Sequence, residues 1–157
     1  MRAEDLVPRL IEKGVTLSTA ESLTAGLLSA EICNVSGASQ CFLGGLCAYQ
    51  DHIKANMLSV FPETLEKYSA VSAPCARQMA KGAREKFGAD YALSTTGYAG
   101  PTGEDVGLVF IGLSTKNGEK AFRLHLSGSR QGIRKMTVQI ALHILQKEII
   151  KNGEESN

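Results

Sequence analysis

The sequence predicts an α/β fold, a three-layer α/β/α sandwich around a mixed, mostly parallel sheet. Two observations support this prediction. The first two thirds of the chain alternate between segments of helical and of strand-like hydrophobic pattern, which is typical of parallel strands joined by helical crossovers. Later, two apolar runs flank the turn signal "KNG", which indicates a β-hairpin and therefore an antiparallel neighbour in the sheet.

The elements follow from periodicity and from residues that begin or end them. We expect helices at about 3–13, 24–35, 52–60, 62–68, 73–87 and 131–151, and strands at about 15–20, 41–50, 90–97, 106–115 and 120–128. Gly14 and Gly88 suit helix ends, and Asp51 and Ser72 are predicted N-caps. The second strand is apolar and short, so we expect it to be buried, with Gly44–Gly45 marking a close backbone approach.

Length and composition indicate one globular domain. The chain has 157 residues, of which 43% are apolar and 21% charged, enough apolar material for a full core. We expect a single domain over residues 1–157, with a frayed tail at about 152–157. The formal net charge is +1, from 17 basic and 16 acidic side chains, so no basic excess supports binding to nucleic acid.

The sequence also predicts the cellular compartment and the redox state of the cysteines. No apolar run approaches the roughly 20 residues of a membrane span, and "MRAEDLVPRL" lacks the apolar core of a signal peptide. We therefore expect a cytoplasmic protein with reduced thiols and no membrane partner. The four cysteines and three histidines include no C-x-x-C pair, so we expect no metal site.

Three polar segments follow the first three predicted strands: "AESLTAG", "AYQDHIK" and "TGYAGPTG". Ligands of open α/β sheets gather at the carboxyl ends of the strands, so these segments are the candidate site. In the first, Ser22 has two interpretations. It can be a helix cap, with Glu21 near the positive helix end, and Thr24 could cap equally well. It can also be a nucleophile above the sheet edge, beside N–H groups of the helix start that bind an oxyanion. Spacing alone favours the cap.

A serine nucleophile needs a base, and Lys54 is the candidate, five residues after Tyr49. A lysine that faces a partly dry pocket can lose its proton near neutral pH, with Tyr49 relaying or orienting that proton. Taken alone, Lys54 is better explained as an exposed residue and Tyr49 as a strand-end aromatic. We expect His52 and His125 to be solvated or packing residues.

The glycine-rich segment "TTGYAGPTG" is either a connector or a backbone cradle for an anion. It lacks the lysine of a P-loop, which argues against a nucleoside triphosphatase. Thr95 and Thr96 offer hydroxyls at the preceding strand end. Arg130 and Arg134, in the first turns of the last helix, could neutralise a phosphate. For Arg134 a solvated helix start is the favoured interpretation.

Together the segments "TAESLTAG", "AYQDHIKANML", "AVSAPCARQMAKGAREKFGADYALSTTGYAGP", "VGLVFIGL" and "LSGSR" resemble the C-terminal domain of the competence/damage-inducible protein CinA, over roughly 6–149. The family usually has E-S-C-T-G-G, where this chain has Leu23 for the Cys and Ala25 for the first Gly. The resemblance implies a three-layer α/β/α sandwich, in agreement with the pattern above, and a homodimer. Many relatives carry an extra N-terminal domain, for which we expect no room here.

The resemblance also implies an activity. Stand-alone members of the family are nicotinamide-nucleotide amidases, amidohydrolases that convert nicotinamide mononucleotide and water to nicotinate mononucleotide and ammonia in pyridine nucleotide recycling. The family's serine, lysine and tyrosine match Ser22, Lys54 and Tyr49. The predicted substrate-binding residues, for a small nucleotide, are Glu21, Thr24, Thr96, Gly97, Gly100 and Arg130. No cofactor is implied. A catalytically weak or inactive module that binds pyridine nucleotides stays open as the alternative.

Overall fold

The computed structural model describes residues 2–155, which form an open five-stranded sheet between two layers of helices. The helices are α1 (Ala3–Lys13), α2 (Leu27–Cys33), α3 (Asp51–Leu58), α4 (Pro62–Tyr68), α5 (Ala73–Phe87) and α6 (Arg130–Glu155). The strands are β1 (Leu17–Glu21), β2 (Phe42–Cys47), β3 (Tyr91–Gly97), β4 (Leu108–Thr115) and β5 (Gly118–His125), and a short 3-10 turn covers Ala38–Gln40.

The sheet has the order β2-β1-β3-β4-β5. Strand β1 is parallel to both of its neighbours, whereas β4 is antiparallel to β3 and β5. Four of the five strands in the described residues therefore run in one direction, and the predicted α/β sandwich with a mixed, mostly parallel sheet is confirmed. Glu21 is in register with Cys47 on one side and Thr95 on the other, so three parallel strands end at the same level.

The two faces of the sheet have separate cores. Helices α1, α2 and α6 cover one face, where Leu17, Leu93 and Ile111 are fully buried. Helices α3, α4 and α5 cover the other, where small residues such as Ala20 and Ala92 face the helices. The small side chains let α5 lie close to the sheet and bring α3, which carries Lys54, toward the carboxyl end of β1.

Strand β2 differs from the prediction, since its residues alternate between half-buried and exposed. The reason is its place at the edge of the sheet, which a short apolar run does not reveal. The close approach predicted at Gly44–Gly45 is confirmed. A Cβ at Gly45 would collide with Thr19 Oγ1, which shares a 2.8 Å hydrogen bond with Ser29 Oγ.

Of the two predicted caps, Ser72 is confirmed and Asp51 is wrong. Ser72 Oγ accepts a 3.2 Å hydrogen bond from Cys75 N at the start of α5. Asp51 is itself the first residue of α3, after Gln50, which has extended backbone and no side-chain capping bond. Its carboxylate lies instead in the first turn of α3, where a negative charge interacts favourably with the positive end of the helix dipole.

The helix boundaries differ most from the prediction at two ends. Helix α2 begins three residues later than predicted, because Ala25 and Gly26 have φ of 46° and 98° and form a turn before it. The frayed tail expected at about 152–157 is helical to Glu155, and Ser156 and Asn157 lie outside the described residues. Within α6, Asn152 Nδ2 donates to the Tyr91 hydroxyl at 3.0 Å. No helix in the described part of the chain combines the length and apolar character that crossing a bilayer requires.

Candidate active site

The carboxyl ends of β1, β2 and β3 enclose a cavity of about 230 Å³. The cavity lies here because β1, β2 and β3 end at the same level, so the residues that follow each strand meet at one edge of the sheet. Its wall is formed by Ser22, Leu23, Tyr49, Asp51, Lys54, Ala70, Val71, Thr96, Gly97, Tyr98, Ala99, Gly100, Thr102 and Arg130. The structure thus brings together seven of the nine residues predicted for the site; the other two, Glu21 and Thr24, lie beneath it.

Ser22 is the first residue after β1 and begins the Ser22 turn, residues 22–26. Its backbone N–H donates to Thr95 O at 3.0 Å, which continues the pairing of β1 with β3 by one residue. The residue is 7% exposed. Its hydroxyl lines the cavity and makes no hydrogen bond to any of residues 2–155. An unpartnered hydroxyl at the cavity wall is free to meet a ligand.

Glu21 is a capping residue and does not line the cavity. Its carboxylate accepts hydrogen bonds from Leu28 N at 2.8 Å and from Ser29 N at 3.1 Å, the free N–H groups of the first turn of α2. It also accepts from Ser29 Oγ and Thr24 Oγ1, both at 2.7 Å. The geometry therefore does not favour the predicted direct contact of Glu21 with substrate, because both carboxylate oxygens are already engaged.

Thr24 is also directed away from the cavity. It is fully buried. Its hydroxyl donates to Glu21 Oε1 at 2.7 Å and lies 2.8 Å from Thr95 Oγ1. The cap of α2 is therefore the carboxylate of Glu21, and neither Ser22 nor Thr24 caps the helix. The same contacts remove the predicted oxyanion site at the helix start. A different N–H is available: that of Leu23, the residue after Ser22, has no hydrogen-bond partner among residues 2–155.

Lys54 lines the cavity and is 1% exposed, so the exposed position that the sequence alone favours is wrong. Its Nζ donates to Tyr49 O at 2.9 Å. Burial lowers the pKa of the Lys54 ammonium, and the charges of Cys75 and Asp51 oppose this. Burial also raises the pKa of the Cys75 thiol to about 11, so the thiol is neutral near pH 7 and Asp51 is the opposing charge that persists.

Tyr49 contacts two partners of the site through different groups. Its carbonyl oxygen holds Lys54, while its hydroxyl accepts a 3.2 Å hydrogen bond from Arg130 Nη2. Among residues 2–155 the hydroxyl of Tyr49 makes no hydrogen bond with Ser22 or Lys54. The side chain is 57% exposed and forms the rim of the cavity.

The glycine-rich loop, residues 97–107, contributes a second part of the cavity wall through Gly97, Tyr98, Ala99, Gly100 and Thr102. Arg130 Nη1 donates to Gly100 O at 2.6 Å and so connects the start of α6 to this loop. Gly100 has φ of 76° and its Cβ position would collide with the Val106 side chain, so the loop requires glycine there. Thr96 Oγ1, at the start of the loop, donates to Ala70 O at 2.8 Å. The hydroxyl of Thr96 is therefore already bound to a backbone carbonyl oxygen at the cavity wall.

The remaining polar candidates lie as follows. His52 is exposed, as predicted, and His125 Nε2 lies 2.8 Å from Asp105 Oδ1 at the end of the loop. Ala25, which replaces the usual first Gly, is exposed and does not line the cavity. Its effect is on the backbone, because φ of 46° lies in the left-handed region that favours glycine. Leu23 belongs both to the cavity wall and to the core beneath it.

Two residues contribute to the site in ways that the sequence does not predict. For Arg134 the favoured interpretation, a solvated helix start, is wrong, because its Nε donates to Leu23 O at 2.8 Å and its Nη2 to Thr24 O at 3.3 Å. Its spacing of four from Arg130 was the available signal, since residues four apart share a helix face. Asp51, predicted as a cap, lines the cavity. The hydroxyl of Thr95, a candidate at the strand end, lies 2.8 Å from Thr24 Oγ1 and so supports the Ser22 turn.

Comparison with known proteins gives one consistent result. The family model of the CinA C-terminal domain matches residues 1–149. A CinA-like protein of Dictyoglomus thermophilum is 46% identical over 152 residues, 94% of this chain and 37% of that protein. The chain spans 33% to 37% of the length of curated relatives that it matches, so it corresponds to one part of those proteins.

Solved structures agree with the sequence comparison. The competence damage-inducible protein A from Klebsiella pneumoniae superposes with a TM-score of 0.90 at 32% identity, covering 96% of this chain and 98% of that one. A competence-damaged protein (CinA) superfamily protein from Escherichia coli gives a TM-score of 0.88 at 34% identity, covering 92% and 86%. This chain belongs to the CinA C-terminal domain family.

Proposed function

We propose that this domain is a nicotinamide-nucleotide amidase, which hydrolyses nicotinamide mononucleotide to nicotinate mononucleotide and ammonia. The main support is one arrangement: the unpartnered hydroxyl of Ser22, the buried amine of Lys54 and the guanidinium of Arg130 line a single cavity. A nucleophile, a base and a cation for a phosphate are the groups that this reaction requires.

The base is prepared by its surroundings. Burial lowers the pKa of Lys54, which increases the fraction of neutral amine near pH 7. A neutral amine has two N–H groups and one lone pair. The hydrogen bond to Tyr49 O uses one N–H and leaves the lone pair for the proton of Ser22.

The reaction then takes two steps. Ser22 Oγ attacks the carboxamide carbon as its proton passes to the amine of Lys54, and the negative charge develops on the carboxamide oxygen. The C–N bond breaks, Lys54 returns the proton to the leaving nitrogen, and ammonia departs. Water then attacks the ester on Ser22, gives up its proton to the same amine and releases nicotinate mononucleotide, while the proton returns to Ser22 Oγ. The backbone N–H of Leu23 is the donor available for the oxyanion.

The phosphate of the substrate would bind at Arg130. A guanidinium has five N–H donors in a planar fork, and two of its nitrogens here donate to Gly100 O and Tyr49 O–H. Donors remain for an anion at the cavity, whose wall includes the backbone of Gly97 and Gly100.

A second candidate is a module that binds the nucleotide without turnover. One observation favours it: Lys54 Nζ donates to Tyr49 O and makes no hydrogen bond with Ser22 Oγ. In that case the same cavity would bind the nucleotide, but Ser22 would stay protonated.

The test is ammonia release by the wild-type protein from nicotinamide mononucleotide, nicotinamide riboside and free nicotinamide, with binding measured by calorimetry. The proposal predicts turnover of the mononucleotide and much weaker turnover of the two compounds that lack the phosphate. Tight binding of the mononucleotide without ammonia release would favour the second candidate. If the wild-type protein neither binds the mononucleotide nor releases ammonia from it, the substrate assignment is contradicted.

A further inference from the structure

Arg134 connects α6 to the turn that carries the candidate nucleophile. Its half-buried guanidinium donates from Nε to Leu23 O at 2.8 Å and from Nη2 to Thr24 O at 3.3 Å. One helical turn earlier, Arg130 Nη1 donates to Gly100 O of the wall formed by the glycine-rich loop. The start of α6 therefore holds both walls of the cavity, each through backbone carbonyl oxygens.

The contacts on the Ser22 turn are divided between two sides. From the sheet, Thr95 O accepts the Ser22 N–H at 3.0 Å and fixes the peptide before the serine. From α6, Arg134 fixes the two peptide planes after Leu23 and after Thr24. Ser22 thus lies between two anchors, one from β3 and one from α6.

The Arg134 contact has no substitute within the described residues. Leu23 is 5% exposed, and Arg134 is the only donor to its carbonyl oxygen among residues 2–155. Without the guanidinium this carbonyl would be buried without a donor, a state that proteins avoid. The turn would have to rotate its peptide planes toward water, and Ser22 and the Leu23 N–H would move with them.

We propose that Arg134 is a positioning residue for Ser22, which keeps the hydroxyl and the Leu23 N–H directed into the cavity. Two donors on one planar group fix orientation in a way that a single ammonium does not. The catalytic consequence rests on the amidase function proposed above, since a displacement of about 1 Å at a reacting group can cost about 10²-fold in rate. The structural consequence does not depend on that function.

The experiment compares Arg134→Ala and Arg134→Lys with Arg84→Ala in the full chain. Arg84 is a matched control, because it is also half-buried and its Nε donates to Ser114 Oγ at 2.9 Å, away from the lining of the cavity. Two readouts are used: amide hydrogen exchange of the Ser22 turn, and kcat and KM for nicotinamide mononucleotide. Added guanidinium chloride at millimolar concentration tests chemical rescue.

We expect Arg134→Ala to speed exchange at Ala25 and Leu27, whose N–H groups donate within the turn. We expect a fall in kcat of about tenfold to 10²-fold, with little change in KM, partial rescue by guanidinium, and a similar loss in Arg134→Lys. Arg84→Ala should change neither the exchange of the turn nor kcat.

The proposal is wrong if a folded Arg134 variant exchanges in the Ser22 turn and turns over like Arg84→Ala. Should Arg134→Ala fail to fold, Arg134→Lys retains a cation at the position and decides by the same two readouts. If the wild type shows no turnover, the amidase proposal fails separately, and the hydrogen exchange alone decides: faster exchange confined to the turn supports the role of Arg134, and unchanged exchange refutes it.

Discussion

The two walls of the cavity are built in opposite ways. The Ser22 turn is buried at Ser22, Leu23 and Thr24. It is held by the sheet through Thr95, by the carboxylate of Glu21 beneath it and by Arg134 from α6. The glycine-rich loop is exposed from Pro101 to Asp105. Its hydrogen bonds to later parts of the chain include those from Arg130 Nη1 to Gly100 O and from Leu126 N to Gly107 O, and the contact between His125 and Asp105.

This difference indicates a division of work. A nucleophile must be held within a fraction of an ångström, whereas a phosphate contact tolerates adjustment. Substitutions on the Ser22 side should therefore affect the rate of chemistry or the stability of the fold. Substitutions on the loop side should affect substrate binding.

Substitution of Lys54 should lower kcat more than substitution of Arg130, because Lys54 is buried and its amine is held by Tyr49 O. Lys54→Ala removes the base, and a positioned general base contributes about 10²- to 10⁴-fold. We expect kcat for nicotinamide mononucleotide to fall by that amount, measured as ammonia release. Lys67→Ala, at an exposed lysine of α4, is the control and should leave kcat unchanged. Retention of kcat in Lys54→Ala would contradict the assignment of the base.

Glu21 should show the largest effect on stability. Glu21→Ala leaves the N–H groups of Leu28 and Ser29, and two hydroxyls, without their acceptor in a buried site. We expect the free energy of unfolding to fall by about 2–4 kcal/mol, measured by urea denaturation. Glu104→Ala, on the exposed loop wall, is the comparison and should change it by less than about 0.5 kcal/mol. Equal effects would mean that the two walls are not built differently.

On the loop side, Arg130→Ala should raise KM while kcat changes little. A charge-assisted hydrogen bond is worth about 1.5–3 kcal/mol, so KM for nicotinamide mononucleotide should rise about tenfold to a hundredfold. KM for nicotinamide riboside, which has no phosphate, should change much less. Arg123→Ala, at an exposed position of β5, is the control. A fall in kcat with an unchanged KM would place Arg130 in the chemistry instead.

The smallest effect concerns pH. The neutral amine of Lys54 is the base, so kcat/KM should rise as pH increases through the pKa of Lys54, which burial holds below its ordinary 10.5. Asp51 opposes that shift because its carboxylate favours the ammonium. Asp51→Asn should therefore move the rise in kcat/KM to lower pH. If the rise in kcat/KM stays at the same pH or moves to higher pH, the rise does not report the titration of Lys54.

Much of the fold was predictable because it depends on local chemistry. Gly14 and Gly88 end α1 and α5 with left-handed backbone, and Ser72 caps α5, each as its residue type dictates. The parallel order of β1, β2 and β3 followed from the alternation of helices and strands. The edge position of β2 could not be read, because a short apolar run looks the same at the edge and in the centre.

The place of Ser22 at the cavity was predictable, because this residue directly follows β1. For Lys54 and Arg130, which lie in α3 and α6, the residue pattern left the choice open and the family resemblance indicated the site. The site was not predictable where long-range packing decides what a polar side chain contacts. Glu21 looked like a ligand contact and is a cap, because α2 folds back over β1. Arg134 looked solvated and is directed inward, because α6 packs against the turn between β1 and α2.

The most direct test of the central claim is the turnover of Ser22→Ala beside the wild type. Both proteins are mixed with nicotinamide mononucleotide, ammonia release is followed, and binding is measured by calorimetry with the same samples. If Ser22 is the nucleophile, the wild type releases ammonia, and Ser22→Ala binds the nucleotide with a similar Kd but loses at least about 10³-fold in kcat. A folded Ser22→Ala variant that releases ammonia at the wild-type rate would contradict the account.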